Sequence, residues 1–487
     1  MITVQAVDVL RLLPEIILSA FAILVMVLDP FVETRKSSLG WLSLVGVIAA
    51  GVGMLWTSQA LGDSFGHSFV VDQFSLYFIF IFLLVAALTI LGSVRYLERE
   101  NVNYGEFYAL ILMATVGACF MAASTELIMI FIGLEISSIS TYILAGFKRH
   151  DAQSNEASLK YFLLGSFATA FFLYGVAFIY GLTGTTNLIA IHERLANGDP
   201  AGTSHFLWIA VILMFVGIAF KSSTAPFQIW TPDVYQGAPA PVSALLSTGP
   251  KAAAFAIFLR IFLGGMATAG SVTFWVVWVS ALLTMCLGNL GALFQSNVKR
   301  LLGYSSIAHA GYVLVGIAAA LRLGGDEGSA PVLFYLVAYA LMNVGAFVLV
   351  AHLAGTGERA TSIDDFTGLG HARPGVAAVL SVLLLSLAGL PITAGFFAKF
   401  YVFRAAIHAH LIGLTIVAVL NSVVSWYYYL KIVVAMYMRE GKTATDTVGL
   451  PWPLGAALFV SVVGVFFLGL FPNLFLDLAN LSARPLP

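Results

Sequence analysis

The sequence predicts an all-α polytopic membrane protein with about fourteen transmembrane helices. Of its 487 residues, 60% are hydrophobic and only 10% are charged, and the mean hydropathy is +0.96. Soluble domains carry about 25% charged residues, so this composition is that of an integral membrane protein. Fourteen apolar stretches approach or exceed the ~20 residues that a helical span needs. They lie near residues 12–30, 40–60, 72–94, 106–123, 126–147, 157–182, 206–229, 240–264, 272–294, 301–321, 331–354, 375–407, 412–437 and 453–475.

The basic residues of the loops predict how the spans are oriented. Loops after odd-numbered spans hold twelve of them: Arg35, Lys36, Arg95, Arg99, Lys148, Arg149, Lys299, Arg300, Arg359, Arg373, Arg439 and Lys442. The opposite loops and both termini hold four: Arg11, Arg194, Arg322 and Arg484. Because Lys and Arg are enriched in cytoplasmic loops, we expect the first set in the cytoplasm and both termini outside.

Several classes of site are excluded by the motif content. Cys119 and Cys286 are isolated within apolar spans, which predicts neither a disulfide framework nor an iron–sulfur motif. No GxGxxG, Walker A or HExxH motif occurs in a usable context, and no basic run indicates nucleic-acid binding. Residues 1–18 lack a basic start and a cleavage site, so they are expected to enter an uncleaved first span. The sequence thus predicts no cofactor and no metal in this chain.

Two stretches combine a helix break with a lysine inside an apolar span. Phe220–Phe227 contains Lys221 and Thr-Ala-Pro-Phe, and Gly389–Phe400 contains Thr-Ala-Gly-Phe and Lys399. A lysine at mid-bilayer costs roughly 2.5–3.5 kcal/mol on insertion scales, so such residues are rarely accidental. Paired interrupted helices are the usual sequence sign of an ion path built from repeated halves. The longer of the two spans, 375–407, is expected to form two half-helices around Pro391 and Gly395.

The two breaks also predict an internal repeat. They fall in spans 7 and 12, five spans apart, so the units that contain them face opposite ways in the membrane. We expect inverted repeats of spans 4–8 and 9–13, although a match of four residues can also arise by chance. The chain is then one membrane domain with these parts: 1–105 with spans 1–3, 106–265 with the first repeat, 272–440 with the second repeat, and 450–487 with span 14 and the tail.

Glu135 in span 5 is the carboxylate placed nearest to mid-membrane. Ser138 and Tyr142 follow it at helical spacings and form a polar stripe with it. In span 7, Lys221 precedes Pro226, which removes a backbone donor and leaves a carbonyl free for water or polar side chains. The alternatives are a structural ion pair for Glu135 and snorkelling to the interface for Lys221. Intramembrane ionisable groups more often have a functional role.

Three further titratable residues lie on later spans: Lys251 in span 8, His309 in span 10 and Lys399 in span 12. Each has hydroxyl residues close along its helix: Ser243 and Ser247 for Lys251, Ser305, Ser306 and Tyr312 for His309, and Thr393 for Lys399. A histidine on an apolar helix is as often a satisfied core residue. Basic residues nearer span ends are expected at the membrane interface: Arg260, Arg404 and Lys431. Lys160, early in span 6, is open to either interpretation.

Taken together, the five residues form a row of titratable groups on five helices: Glu135, Lys221, Lys251, His309 and Lys399. Proton relays are built from such parts. Lysines repel cations, and a sodium site would need several converging oxygen ligands, so the row suits protons better. Helical spacing alone does not tell whether the five side chains meet.

Three long motifs carry a resemblance to a known family: Lys299–Tyr312, Lys221–Gln236 and Gly389–Phe400. They resemble the antiporter-like subunits of proton-pumping NADH:quinone oxidoreductase, respiratory complex I, whose relatives include multisubunit sodium/proton antiporters and membrane-bound hydrogenases. The chain is most similar to the subunit N group. It has Lys399 where the subunit M group has glutamate, it begins with Leu13-Pro-Glu-Ile, and it leaves no room after span 14 for the lateral helix of subunit L.

The resemblance implies a role for each residue of the row. Glu135 would pair with Lys221, Lys251 would be the central lysine, and Lys399 would lie toward the periplasmic exit. His309 matches a variable position. It also implies a translocase subunit without redox chemistry, whose partners are other membrane subunits of the complex and the lipid bilayer, with flavin, iron–sulfur clusters and quinone in other subunits. Two alternatives stay open: a Mrp-type cation/proton antiporter subunit and a non-pumping scaffold.

Overall fold

Thirteen of the described helices are long and apolar enough to cross a membrane. The computed structural model describes residues 5–32, 36–197, 200–324, 326–440 and 449–483, without the side chains of 200–204 and 326. Thirteen of the predicted spans each have one such helix, and the twelfth consists of two shorter helices. The prediction of an all-α protein with about fourteen spans is confirmed.

The first ten helices are α1 Ala6–Arg11, α2 Leu13–Leu28, α3 Ser37–Thr57, α4 Gln73–Arg99, α5 Gly105–Ala123, α6 Leu127–Ala145, α7 Ala152–Thr183, α8 Leu188–Asn197, α9 Pro200–Ser222 and α10 Thr231–Gly237. The others are α11 Ala240–Leu259, α12 Gly270–Leu293, α13 Val298–Leu323, α14 Asp326–Leu353, α15 Leu369–Ala372, α16 Pro374–Ala388, α17 Ala394–His408, α18 Ile412–Met438, α19 Trp452–Leu470 and α20 Pro472–Ser482. A small antiparallel hairpin, β1 Gly62–Ser64 and β2 Phe69–Val71, precedes α4 and was not predicted from the sequence.

Both predicted helix breaks are present. In span 7, α9 ends at Ser222, seven residues before the predicted end, because Ser223 takes a left-handed conformation with φ of +61°. In span 12, α16 ends at Ala388, and Gly389 takes a φ of +99°, a conformation that favours glycine. α17 begins five residues later, at Ala394. Each break exposes the carbonyl end of a helix inside the bundle, where the macrodipole attracts a cation.

Helices α11 and α14 form the centre of the bundle. Both are buried along their whole apolar length, and they pack against each other. The polar row lies around them, because α6, α9 and α13 also contact α11 or α14. By contrast, α2, α3 and α18 keep much of their apolar surface exposed, as expected for helices that face lipid or other subunits.

Two main-chain bridges repeat the same pattern in the two halves of the chain. At the start of α6, Leu127 N–H donates to the Thr186 carbonyl at 2.9 Å, and Leu188 N–H donates to Thr125 at 2.8 Å. The start of α13 has the same two bonds: Val298 to Thr361 at 2.7 Å and Ile363 to Ser296 at 2.8 Å. In both places the residue before the helix caps it, through Glu126 in the first half and Asn297 in the second.

One basic residue lies where the sequence did not predict it. Arg260 was expected at the membrane interface, but its side chain is fully buried and pairs with Asp72 at 3.1 Å. It also donates to the Ala122 carbonyl at 2.9 Å. A π-helical turn, Arg260–Gly265, extends span 8 at this point and brings the guanidinium beneath the start of α4. Three basic residues used for orientation lie outside the described residues, as do both extreme termini: Arg35, Lys442 and Arg484.

Candidate functional site

The Lys221 ammonium lies at the carbonyl end of α9 and is held by neutral oxygens. It donates to the Ser138 hydroxyl at 2.9 Å and to the Tyr161 hydroxyl at 3.2 Å. The Tyr142 ring centroid is 5.8 Å from the same nitrogen. The stripe that contains Ser138 and Tyr142 on α6 therefore faces Lys221. Glu135, one turn before Ser138, is half-buried, and its Oε1 makes no hydrogen bond.

Lys251 is bound to α13 rather than to the hydroxyls of its own helix. Its ammonium donates to the Ser306 hydroxyl at 2.5 Å and to the Ser306 carbonyl at 3.0 Å. Ser247, one turn before Lys251, accepts from Asn343 of α14 at 2.7 Å instead. Ser243 donates to the Tyr235 carbonyl at 2.8 Å. The serines of α11 thus hold neighbouring elements, and the partner of the lysine comes from span 10.

His309 is buried between two tyrosines of other helices. Its Nδ1 lies 2.6 Å from the Tyr335 hydroxyl of α14, and its Nε2 lies 3.2 Å from the Tyr429 hydroxyl of α18. Tyr429 also bonds to Ser305. Both ring nitrogens therefore have a hydroxyl partner that can donate or accept a proton. His309 is one turn after Ser305 and three residues after Ser306, the residue that binds Lys251, and its ring packs edge-on against Tyr312, whose ring lies 5.3 Å from the Lys399 ammonium.

Lys399 reaches back across the break of span 12. Its ammonium donates to the Ala388 carbonyl, the last residue of α16, at 2.8 Å and to the Ser422 hydroxyl at 3.0 Å. The Tyr312 ring centroid is 5.3 Å from the same nitrogen, close enough for a cation–π contact. The Tyr312 hydroxyl accepts from the Asn289 amide at 3.2 Å. Thr393 donates to its own loop and does not contact Lys399.

The three lysines share an unusual electrostatic situation. Their side chains are nearly inaccessible, with 3%, 2% and 5% exposure for Lys221, Lys251 and Lys399. None of them takes part in an ion pair among the described residues, since every hydrogen-bond acceptor is a hydroxyl or a carbonyl. An amine held by neutral oxygens can lose its proton without leaving an unpaired anion behind. This arrangement suits proton transfer better than a fixed structural ion pair.

Charged groups are paired at the face of the bundle that carries the loops after odd-numbered spans. Glu358 binds Lys299 at 2.5 Å and lies 3.9 Å from Lys148, and it accepts from the Tyr96 hydroxyl and from Ala240 N–H. Burial alone would raise the pKa of Glu358, but the two ammonium groups outweigh it and hold the pKa below its usual value. Because Ala240 is the first residue of α11, Glu358 fixes the start of the helix that carries Lys251.

Asp233 of α10 makes the second such cluster. It binds Lys160 at 2.8 Å and Arg300 at 2.6 Å, which joins span 6 to span 10. Partial burial raises the pKa of Asp233, and the hydrogen bonds from Lys160 and Arg300 lower it by more. Lys160, which the sequence left open, is therefore a half-exposed ion-pair residue that also binds Glu156. Lys160 therefore does not belong to the row of buried titratable residues.

The comparisons with known proteins agree on a single family. Residues 124–425, well over half of the chain, match the family model described as NADH:quinone oxidoreductase/Mrp antiporter, TM. The chain is 51% identical to NADH-quinone oxidoreductase subunit N 1 of Solibacter usitatus, with 98% of both chains covered. It is 49% identical to subunit N 2 of Koribacter versatilis, with 99% and 98% covered. The chain belongs to the NADH:quinone oxidoreductase/Mrp antiporter family.

Solved structures of family members have the same fold. A chain of respiratory complex I from Thermus thermophilus with bound aureothin is 35% identical, with a TM-score of 0.79 and 96% and 99% of the chains covered. The archaeal membrane-bound sulfane sulfur reductase gives 26% identity and a TM-score of 0.85 over 99% and 97%. The Mrp complex of a Dietzia strain gives a TM-score of 0.82 at 23% identity over 99% and 97%, which shows the fold alone.

Several residues of the site were not found by the sequence reasoning. They are four tyrosines, two asparagines and one serine that contact the row or the residues beside it: Tyr161, Tyr335, Tyr339, Tyr429, Asn289, Asn343 and Ser422. The available signal was an amide side chain within an apolar helix, as at Asn289 and Asn343. Asn421 and Tyr428 of α18 both bind Asn289, at 3.2 and 3.0 Å. Within the described ranges, no group of three or more His, Cys, Asp or Glu could hold a metal ion.

Proposed function

We propose that this chain is the proton-translocating membrane subunit N of an NADH:quinone oxidoreductase. The observation that carries the proposal is the row of three buried lysines and one histidine, each bound by neutral hydroxyls or carbonyls inside the bundle. Relatives that are 51%, 44% and 39% identical over nearly the whole chain bear the name of this subunit. The oxidoreductase complex as a whole is then a translocase, and this chain does no redox chemistry and holds no cofactor itself.

The proposed mechanism begins at Glu135 and Lys221. Redox energy reaches the chain as a conformational or electrostatic change in neighbouring membrane subunits and moves Glu135 relative to Lys221. A nearby carboxylate favours the charged amine, and burial disfavours it. Separation therefore drives the Lys221 proton toward Lys251 and on through His309. Lys399 releases it toward the periplasm.

The proposal includes an inverted repeat of spans 4–8 and 9–13. It is supported by the two identical main-chain bridges, one before α6 and one before α13. The packing of the helices also supports it, because three contacts in the first repeat have counterparts in the second. The contact between α5 and α6 corresponds to that between α12 and α13, and the contact between α7 and α9 corresponds to that between α14 and α17. The contact between α5 and α11 corresponds to that between α12 and α18. Helix α6 is span 5 and α13 is span 10, so the two helices start on opposite faces if each span crosses the membrane once. We propose the same division of the membrane domain as in the sequence analysis: 1–105, 106–265, 272–440 and 450–487.

We also propose the orientation. The loops after spans 3, 5, 9 and 11 meet at one face, where Glu100 pairs with Lys148 at 2.7 Å and Glu358 pairs with Lys299 and lies 3.9 Å from Lys148. The excess of Lys and Arg at this face supports a cytoplasmic location, with both termini at the periplasmic face of a bacterial inner membrane. Other membrane subunits, antiporter-like ones included, would cover the exposed faces of α2, α3 and α18. Flavin, iron–sulfur clusters and quinone would be bound in other subunits.

The other two functions have weaker support. A Mrp-type antiporter subunit shares the fold, but the Mrp structure is only 23% identical to this chain. A scaffold whose buried charges lock helices together would bind its lysines through carboxylates. The described residues instead bind Lys221, Lys251 and Lys399 through neutral oxygens.

Two experiments test the proposal. Native membranes are extracted in mild detergent, separated on a native gel and stained for NADH dehydrogenase activity. We expect this chain in a large band that oxidises NADH, and a smaller band without that activity would favour the antiporter.

In the assembled complex, Glu135→Gln and Lys399→Ala should impair NADH-driven proton pumping. Lys431→Ala should not, because Lys431 is a half-exposed lysine near a span end. Full pumping by both site variants would rule out the relay.

A further inference from the structure

The hydrogen bonds of the row do not join Lys221 to Lys251. Lys221 is bound to Tyr161 at 3.2 Å, and Lys251 is bound to Ser306 at 2.5 Å. Among the described residues, no hydrogen bond connects these two groups. A proton that leaves Lys221 for Lys251 must therefore cross a space that neither lysine spans. What lies in this space decides how the transfer proceeds.

One phenol lies close to groups that bind both lysines. Tyr235 of α10 is fully buried, and its hydroxyl makes no hydrogen bond. The hydroxyl lies near Ser306, which binds Lys251, and near Ser223, two residues after Lys221, without reaching hydrogen-bonding geometry with either. Its ring packs against Trp230, which stacks on Tyr161, the tyrosine that Lys221 binds. The groups bound to both lysines thus border the same hydroxyl.

The local fold fixes Tyr235 in this position. Its ring packs edge-on against Trp230, with centroids 5.9 Å apart, and Trp230 stacks on Tyr161 at 4.4 Å. Its carbonyl accepts from Ser243 of α11. Gly303 of α13 lies against α10, since a Cβ there would be in ordinary van der Waals contact with the Tyr235 Cβ, 3.5 Å away. The phenol ring therefore has a defined position, and only its O–H bond rotates freely.

Buried hydroxyls without a partner are rare in native proteins and usually bind water. The Ser223 hydroxyl is also buried and without a hydrogen bond, on the Lys221 side of Tyr235. Tyr235 and Ser223 thus provide two buried hydroxyls near the two amines, each without a hydrogen bond and without a charge of its own. Neither group serves the packing of the fold through a hydrogen bond.

We propose that Tyr235 transfers the proton from Lys221 to Lys251, an inference that rests on the proposed function. The Lys221 ammonium gives one proton, through water, to the Tyr235 oxygen, while the phenol releases its own proton to the Ser306 oxygen. The Ser306 hydroxyl proton passes to the neutral amine of Lys251. Lys221 ends as the amine and Lys251 as the ammonium. Tyr235 and Ser306 each keep one proton, no electron moves, and rotation of the two hydroxyls restores the starting state.

The test is Tyr235→Phe in the complete complex, because this change removes the hydroxyl and keeps the ring. Sealed inverted membrane vesicles are energised with NADH, and the initial rate of acidification is measured with a fluorescent dye. The rate is normalised to the amount of assembled complex, taken from the NADH-stained band on a native gel. We expect a fall of roughly tenfold, less than the roughly 10²–10⁴-fold contribution of a positioned acid or base, since water can partly replace the hydroxyl.

The matched control is Tyr108→Phe. Tyr108 of α5 is also fully buried, and its hydroxyl also makes no hydrogen bond, but it packs against Gly40 of α3, away from the lysines. We expect full pumping from this variant. A structural role for Tyr235 would lower the amount of assembled complex and leave the rate per complex unchanged. Full pumping per complex by Tyr235→Phe would overturn the inference.

The outcome separates this inference from the proposed function. If Glu135→Gln impairs pumping and Tyr235→Phe does not, the relay stands and its route avoids Tyr235. If neither impairs pumping, the relay itself fails. Should Tyr235→Phe not accumulate in membranes, Ser306→Ala removes the next hydroxyl of the same route. It must lower the rate per complex by a similar factor, and a normal rate would contradict the route.

Discussion

Lys221 binds Ser138, and Ser138 lies one helical turn from Glu135. The lysine therefore does not reach the carboxylate directly, although Glu135 is close enough to act on it electrostatically. A neutral hydroxyl holds the ammonium at 2.9 Å while the Glu135 Oε1 makes no hydrogen bond. The structure thus presents the separated form of this pair, in which a small movement of α6 against α9 would change the attraction between the two charges.

Ser138→Ala should impair proton release from Lys221. The substitution removes one of the two hydrogen bonds of the ammonium, which then shifts toward Glu135 and holds its proton more strongly. A hydrogen bond to a charged group contributes about 1.5–3 kcal/mol, so we expect a pumping rate lower by roughly tenfold. The measurement is NADH-driven acidification of vesicles per assembled complex.

Ser140→Ala is the control for Ser138→Ala. Ser140 lies on the same helix, but its hydroxyl donates only to the Ile136 carbonyl of that helix. We expect normal pumping from it. A normal rate in Ser138→Ala would show that the hydroxyl does not hold the lysine in a functional position.

The sequence predicted the residues of this site better than their partners. Helical spacing placed Ser138 and Tyr142 on one face with Glu135, and that face does meet Lys221. The same reasoning expected the hydroxyls of α11 beside Lys251, whereas its partner is Ser306 of α13. Spacing shows which residues share a face of one helix, but not which neighbouring helix lies against that face.

The sequence also could not predict how deeply a polar side chain is buried in the bundle. Arg260 lies near the end of an apolar stretch, where an arginine usually reaches the interface. Its partner Asp72 is 188 residues earlier in the chain, so the buried pair depends on how spans 3 and 8 pack. Similarly, Tyr335 and Tyr429 bind His309 from two other helices. The fourteen spans and two breaks, in contrast, follow from local hydropathy and backbone chemistry.

Glu358→Gln should destabilise the protein, in a pH-dependent way. Removing one partner from a buried ion pair costs about 3–5 kcal/mol, because Lys299 and Lys148 would keep their charges. Folding lowers the pKa of Glu358 from its ordinary value of 4.5. Its contribution is therefore complete above pH 4.5 and is lost as the pH falls through the lower folded value. The measurement is the unfolding free energy of the detergent-solubilised protein at pH 7 and at acidic pH.

The difference between wild type and Glu358→Gln should be largest at neutral pH and shrink below pH 4.5. Asp364→Asn is the control, because Asp364 forms an exposed pair with Arg439 at 3.5 Å. Exposed pairs contribute roughly 0–1 kcal/mol, so this variant should differ little from wild type at any pH. A constant difference across the pH range for Glu358→Gln would contradict the assignment.

Asp72→Asn should destabilise the opposite face of the bundle. Asp72 caps α4 by accepting from Ser75 N–H at 2.7 Å, and it also pairs with Arg260. Asparagine retains a cap acceptor and removes the charge, so the substitution isolates the ion pair. We expect a loss of about 3 kcal/mol, measured as unfolding free energy in detergent, because Arg260 is fully buried. Glu126→Gln, which caps α6 without an ion pair among the described residues, should cost less than about 1 kcal/mol.

Gly395→Ala should disrupt the position of Lys399. A Cβ at Gly395 would overlap the carbonyl oxygen of Ser386, which is main chain of α16 and cannot rotate away. The half-helix α17 must therefore move from α16, and the Lys399 ammonium would lose its 2.8 Å bond to Ala388. We expect lower thermal stability and impaired pumping in the variant that does assemble.

The control is Gly413→Ala in α18, where a Cβ meets no atom within 4 Å. This substitution should instead stabilise the helix by roughly 0.5–1 kcal/mol. Equal pumping by the two variants would show that close approach of the half-helices does not position Lys399.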